Sequence, residues 1–99
     1  MINQEEILHF LRENKNEFFS DYQLIKLGLF GSFAQGEETE DSDIDLIVEF
    51  QPDTEDLSEK KRSIKSLVEK QFGLKVDICR EKYIKPYFKS HILDSAVYV

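Results

Sequence analysis

Three aspartates and one Gly-Ser pair have the types and spacing that suit chemistry in this chain. Asp43 and Asp45 stand two apart at the head of an apolar run, SDIDLIVEF, so in an extended chain both side chains point to one face. Asp77 lies between Val76 and Ile78 in a later apolar run. If the two runs pair as neighbouring strands, three carboxylates meet on one surface. Like charges that close are unfavourable unless protons or cations stand between them. Hard oxygen donors of this kind suit Mg²⁺ or Mn²⁺. Two such ions on three carboxylates activate an attacking oxygen, bridge phosphates and stabilise a leaving oxygen. Gly31-Ser32 closes an earlier apolar run. Glycine there lets the backbone turn sharply and approach a ligand. The N–H groups of the following turn, with the Ser32 hydroxyl, suit phosphate oxygens, and Gly36 keeps the loop open.

Each part alone is ordinary: a turn, and a solvated strand start. Their order is specific. Gly-Ser is followed by ten residues, then Asp-x-Asp in a hydrophobic strand, then a single Asp in a later strand.

The elements that must position these residues follow from periodicity. Asn3 and Glu6 make a capping-box-like pair, and Ile7, Leu8, Leu11 and Phe18 continue one helical stripe. A strand is expected over Leu24–Phe30, then a short helical turn and polar loop over 33–42, then a strand over Ile44–Phe50. A long helix is expected from Asp53 or Thr54 to Phe72, with Gly73 as its C-terminal cap. Its run of Glu, Lys and Arg reads as a solvated face. A third strand over Leu74–Cys79 and a last helix from Ile84 or Pro86 to about Ser95 complete the chain, with Ala96–Val99 extending or pairing at an edge. This is an α/β (α+β) arrangement in a single domain over 1–99, a small mixed sheet packed with helices.

Composition sets limits. With 40% hydrophobic residues, eight Phe and four Tyr, the chain can fold, but only around a modest core. The formal net charge of -7 argues against binding nucleic acid through a broad electrostatic surface. It leaves room for a nucleotide with its metal ions, and for a locally complementary protein partner. No apolar run reaches membrane-spanning length, and the acidic start MINQEEILHF does not read as a signal peptide, so a cytoplasmic location is expected. The single Cys79 cannot form an internal disulfide and is expected as a small core residue at a strand end.

The motif resembles the signature of the nucleotidyltransferase superfamily that includes DNA polymerase β and kanamycin nucleotidyltransferase. The stretch GSFAQGEETEDSDIDLIVEF and the ending ILDSAVYV are similar to the minimal nucleotidyltransferase (MNT) proteins of prokaryotes. The resemblance covers nearly the whole chain and implies the polymerase β-type fold. It implies that Gly31 and Ser32 hold phosphate and that Asp43 and Asp45 are the metal-binding pair. Asp77 would be the third carboxylate, binding metal and assisting deprotonation of the acceptor. ATP would be the nucleotide donor. Many relatives carry Arg where this chain has Gln35, and a neutral side chain there weakens any phosphate contact. MNT proteins are commonly antitoxins of a helical HEPN-domain RNase toxin and adenylylate a tyrosine on it. The resemblance thus implies a protein adenylyltransferase antitoxin working in a hetero-oligomer. A chain this short has no room for a sizeable acceptor-binding domain, which fits a partner that completes the site. Two other readings stand beside it: an antitoxin that neutralises by contact alone, and a small-molecule nucleotidyltransferase.

Other residues have blander expectations. His9 reads as a surface residue and His91 as structural or interfacial. Asp41 reads as a loop residue, and Glu49, at the parity of Asp43 and Asp45, as a border of the site or a wet strand face. Tyr83, Tyr87, Phe88 and Tyr98 read most simply as core, with a partner surface as the alternative.

Overall fold

The computed structural model describes residues 1–99. Helices α1 (Gln4–Glu13) and α2 (Lys15–Asp21) lead into strand β1 (Leu24–Phe30), which runs directly into the one-turn helix α3 (Gly31–Gln35). Strand β2 (Ile44–Phe50), helix α4 (Leu57–Phe72) and strand β3 (Val76–Arg80) follow. A 3₁₀ turn (Glu81–Tyr83), helix α5 (Pro86–Ser95) and the short strand β4 (Val97–Tyr98) end the chain. The sheet order is β3-β2-β1-β4. β1 is antiparallel to both neighbours, and β2 and β3 are parallel, joined by the α4 crossover.

Alternation divides the sheet into two faces. Ile44, Leu46, Val48 and Phe50 of β2 point into the hydrophobic core with Leu27 and Leu29 of β1, Val76 of β3, and Ile7, Leu11, Phe18, Ile64 and Val68 from the helices. Each such buried side chain contributes roughly 1.5–3 kcal/mol through removal from water. The second face carries the register partners Phe30–Asp45–Asp77, Gly28–Ile47–Cys79 and Lys26–Glu49. Directly opposed residues in a ladder share a face, so Asp45, Asp77 and the β1 terminus belong to one surface.

The expected β1 and β2 strands match the observed ones residue for residue. Gly73 caps α4 at φ +67°, Pro86 opens α5, and the C-terminal residues pair with the β1 edge. The single N-terminal helix is instead two. Asn14 breaks it: its Nδ2 donates to the Phe10 carbonyl at 2.8 Å, and the chain then bends so that the Phe10 and Phe18 rings meet edge to face. Helix α4 starts at Leu57 because Asp53 and Asp56 both hold positive φ, +63° and +57°, which no helical turn accepts. β3 is shifted to Val76–Arg80. Cys79 is exposed, not a core residue: it shares the parity of Asp77 and not of Val76, and it stands in an edge strand of the sheet. Tyr83, Tyr87, Phe88 and Tyr98 are likewise exposed, since α5 leaves β3 at one edge for β4 at the other and buries none of its residues fully.

Candidate active site

The site is built where β1 ends and β2 begins. Phe30 opposes Asp45 in the antiparallel ladder, so the turn that follows β1 lies beside the Asp45 carboxylate. Gly31 turns there with φ +76°. A Cβ on it would stand 3.1 Å from Asp45 Cγ and 3.3 Å from Asp45 Cβ, and would collide with Oδ2. Both the backbone angle and the carboxylate therefore demand glycine. Ser32 follows, half-buried, at the start of α3. Helix α1 fixes the far end of this turn: Gln4 Nε2 donates to the carbonyls of Phe33 at 3.1 Å and Ala34 at 2.7 Å. Gly36, at φ +71°, ends α3 in the left-handed region with open space around it.

Asp45 and Asp77 are register partners in the parallel β2–β3 ladder, and both are half-buried. Burial pushes the Asp45 carboxyl from the ordinary 3.8 up to about 6, and the charges of Asp77 and then Asp43 add to the rise. The charges of Asp77 and Asp43 thus both reach Asp45. Asp43 stands just before β2, with Oδ2 3.9 Å from Lys75 Nζ. The three carboxylates do not close on one point as a finished cation cage. Their chemistry fits a hard divalent cation: oxygen donors only, on an Asp45 whose affinity for a proton is raised first by burial and then by the charges of Asp77 and Asp43. Asp43, Asp45 and Asp77 are the residues that would hold it.

One member of this face was missed by sequence reasoning. Cys79 opposes Ile47 next to the Asp45–Asp77 pair. Burial raises its thiol pKa, Asp45 and Asp77 raise it further, and Lys61 lowers it. Its spacing of two from Asp77 was the available signal. Glu49 shares the face, as its parity implied, but serves as a partner for Arg80. Arg80 Nη2 and Nε donate to Glu49 Oε1 at 2.6 and 3.1 Å. Asp41 lies exposed in the loop, where its N–H donates to Thr39 Oγ1 at 3.3 Å. Gln35 is exposed at the end of α3, and His9 is exposed on α1, 3.2 Å from Glu13. His91 is exposed on α5. A cavity of about 510 Å³ is lined by Phe19, Leu27, Leu93 and Val99 among others, and none of the three aspartates lines it. No helix is long and apolar enough to cross a membrane.

Known proteins resemble this chain over most of its length. The family model described as "Nucleotidyltransferase domain" matches residues 11–99. A Methanocaldococcus jannaschii protein named "Putative protein adenylyltransferase MJ1379" is 39% identical over 95 residues, covering 95% of each chain. "Protein adenylyltransferase MntA" of Thermococcus cleftensis is 32% identical over 99 residues, covering 100% of this chain and 98% of the relative. A solved structure described as "Structure of putative minimal nucleotidyltransferase" superposes with a TM-score of 0.77 at 29% identity, covering 97% of this chain and 95% of that one. A structure described as a "toxin-antitoxin with AMP-PNP" shares the fold, with a TM-score of 0.64 at 20% identity over 98% of this chain and 72% of that one. With the turn, the ladder and the three acids in place, the chain belongs to the nucleotidyltransferase domain family and has the minimal nucleotidyltransferase fold.

Proposed function

We propose that this nucleotidyltransferase moves AMP from ATP to a tyrosine hydroxyl of a HEPN-domain RNase toxin, and so acts as its antitoxin in a hetero-oligomer. The observation that carries the reading is the register pairing of Asp45 with Asp77 beside the Gly31-Ser32 turn. The tyrosine oxygen attacks the α-phosphorus in line as the bond to pyrophosphate breaks. Asp77 takes the hydroxyl proton, and Ser32 with the Gly31 turn holds the departing phosphates. Asp43, Asp45 and Asp77 would hold Mg²⁺ or Mn²⁺, which would supply charge neutralisation at the phosphates when bound. The part of the Asp45 shift that comes from Asp77 and Asp43, added to the larger effect of burial, supports that assignment, because a cation offsets the same repulsion a proton does. The names of the two relatives support a protein acceptor. The AMP-PNP in a toxin–antitoxin of the same fold supports a nucleotide in such an assembly. The open acidic face supports a partner that completes the pocket.

The test is to incubate the chain with the product of the adjacent reading frame, ATP and Mg²⁺, and to read intact masses. AMP should add to a tyrosine of the partner and be lost with Asp43→Ala. Neutralisation that survives Asp43→Ala with Asp45→Ala, without a mass change, would replace catalysis by binding as the essential mechanism.

A further inference from the structure

A second surface has its own chemistry, outside the acidic face. From Arg80 to the end of α5 at Ser95, four of the six charged residues are basic, in a chain with 20 acidic residues against 13 basic. Of the two acids, Asp94 stands at the end of α5, and Glu81 is paired with Lys26 at 3.1 Å, as Arg80 is with Glu49 at 2.6 Å. Lys82, Lys85 and Lys89 take part in none of the ion pairs of the structure. Among them stand Tyr83, Tyr87 and Phe88, exposed by 68%, 88% and 51%. The Tyr87 and Phe88 rings meet edge to face at 4.9 Å, and Lys82 Nζ lies 5.2 Å from the Tyr83 ring.

Three large rings left in water are a cost that a covering surface removes, and clustered exposed apolar groups mark contact sites. A ten-residue helix is marginal by itself, and α5 buries none of its residues completely. Its contacts with α3 and β1 hold one side and leave the other open. Charge decides the occupant. Three uncompensated lysines around aromatic rings suit an apolar pocket rimmed by carboxylates. A nucleic acid would also approach the lysines, but it would meet a chain of net charge -7 with Glu37, Glu38, Glu40 and Asp41 in the loop beyond α3.

We propose that the open face of α5 and the preceding turn is the docking surface for an acidic patch on the acceptor protein. This rests on the reading that the acceptor is a protein.

The experiment titrates the protein encoded by the adjacent reading frame into the wild-type chain and into three double variants, by calorimetry. Lys85→Glu with Lys89→Glu, and Tyr87→Ala with Phe88→Ala, are each expected to raise Kd at least thirtyfold and to leave ATP–Mg²⁺ binding unchanged. Lys85→Arg with Lys89→Arg should keep Kd within threefold. Circular dichroism checks that α5 stays folded; if the aromatic variant loses helix, the two lysine variants decide. Unchanged Kd in the charge-reversed variant overturns the docking surface. So does a change in sedimentation of the free chain with partner binding intact, which assigns the patch to a second copy. A wild-type chain that binds no partner also overturns it. Intact masses of the same samples read transfer separately: tight binding without added AMP overturns the acceptor reading and leaves docking to be judged by Kd.

Discussion

Asp45 and Asp77 stand opposite each other in the parallel β2–β3 ladder, and the Asp45 carboxylate fills the space that a side chain at position 31 would need. One short-range arrangement therefore links the strand pair that gathers charge to the turn suited to phosphate.

The pH dependence of stability follows from Asp45. Its folded pKa, about 6, lies above the ordinary 3.8, so protonation favours the folded state. The contribution is fully present below about pH 3.8 and is lost as pH rises through 6. Without divalent cation, the melting temperature attributable to this group should fall between pH 4 and pH 7. Mg²⁺ or Mn²⁺ should raise it more at pH 7.5 than at pH 5, and calorimetry near pH 6 should show proton release on binding. A cation effect of equal size at both pH values would contradict the assignment.

Asp45→Asn separates stability from chemistry. Removing a half-buried charge that faces Asp77 and Asp43 should raise the melting temperature of the cation-free protein at pH 7.5. AMP transfer, followed by radiolabel, should drop by about 10²–10³ or more, as expected when one electrostatic element of a transition-state site is lost.

Two glycines with nearly equal φ should respond differently to alanine. Gly36→Ala, at φ +71° with open space, should cost only the left-handed backbone penalty of about 1 kcal/mol and keep transfer activity. Gly31→Ala adds a collision with the Asp45 carboxylate, so it should cost roughly 2–3 kcal/mol and abolish transfer. Urea denaturation and the transfer assay on both variants check the contrast.

Glu49 should behave as a structural residue. Its pairing with Arg80 is largely shielded, with side-chain exposures of 15% and 11%. Glu49→Gln leaves the guanidinium without its charge partner and should destabilise by roughly 2 kcal/mol. Turnover per folded molecule should remain near wild type, which would set Glu49 apart from the aspartates on its own face.

Much of the fold was legible because the central strands carry strong local signals. β1 and β2 end at Gly31 and at Gln51-Pro52, where backbone chemistry stops a strand whatever surrounds it. The split at Asn14 was not legible, since Asn is tolerated in a helix until packing of Phe10 against Phe18 favours a bend. The exposure of Tyr83, Tyr87 and Phe88 was also hidden. Aromatic composition predicts burial on average, but burial depends on whether another element lies over the ring.

The sequence by itself determined the ingredients of the candidate site: a glycine and a serine closing one strand, Asp43 and Asp45 at a parity that shares a face, and Asp77 in a later strand. Those follow from the chirality of the backbone and the two-residue period of a strand, which are local. Tertiary structure alone decided that β3 pairs with β2 in the register that sets Asp77 against Asp45, that Glu49 turns to Arg80, and that Cys79 joins the acidic face. Register and edge order depend on how α4 packs across the sheet and on where α5 returns. Those are sums over contacts distant in the chain, and no short stretch of sequence encodes them.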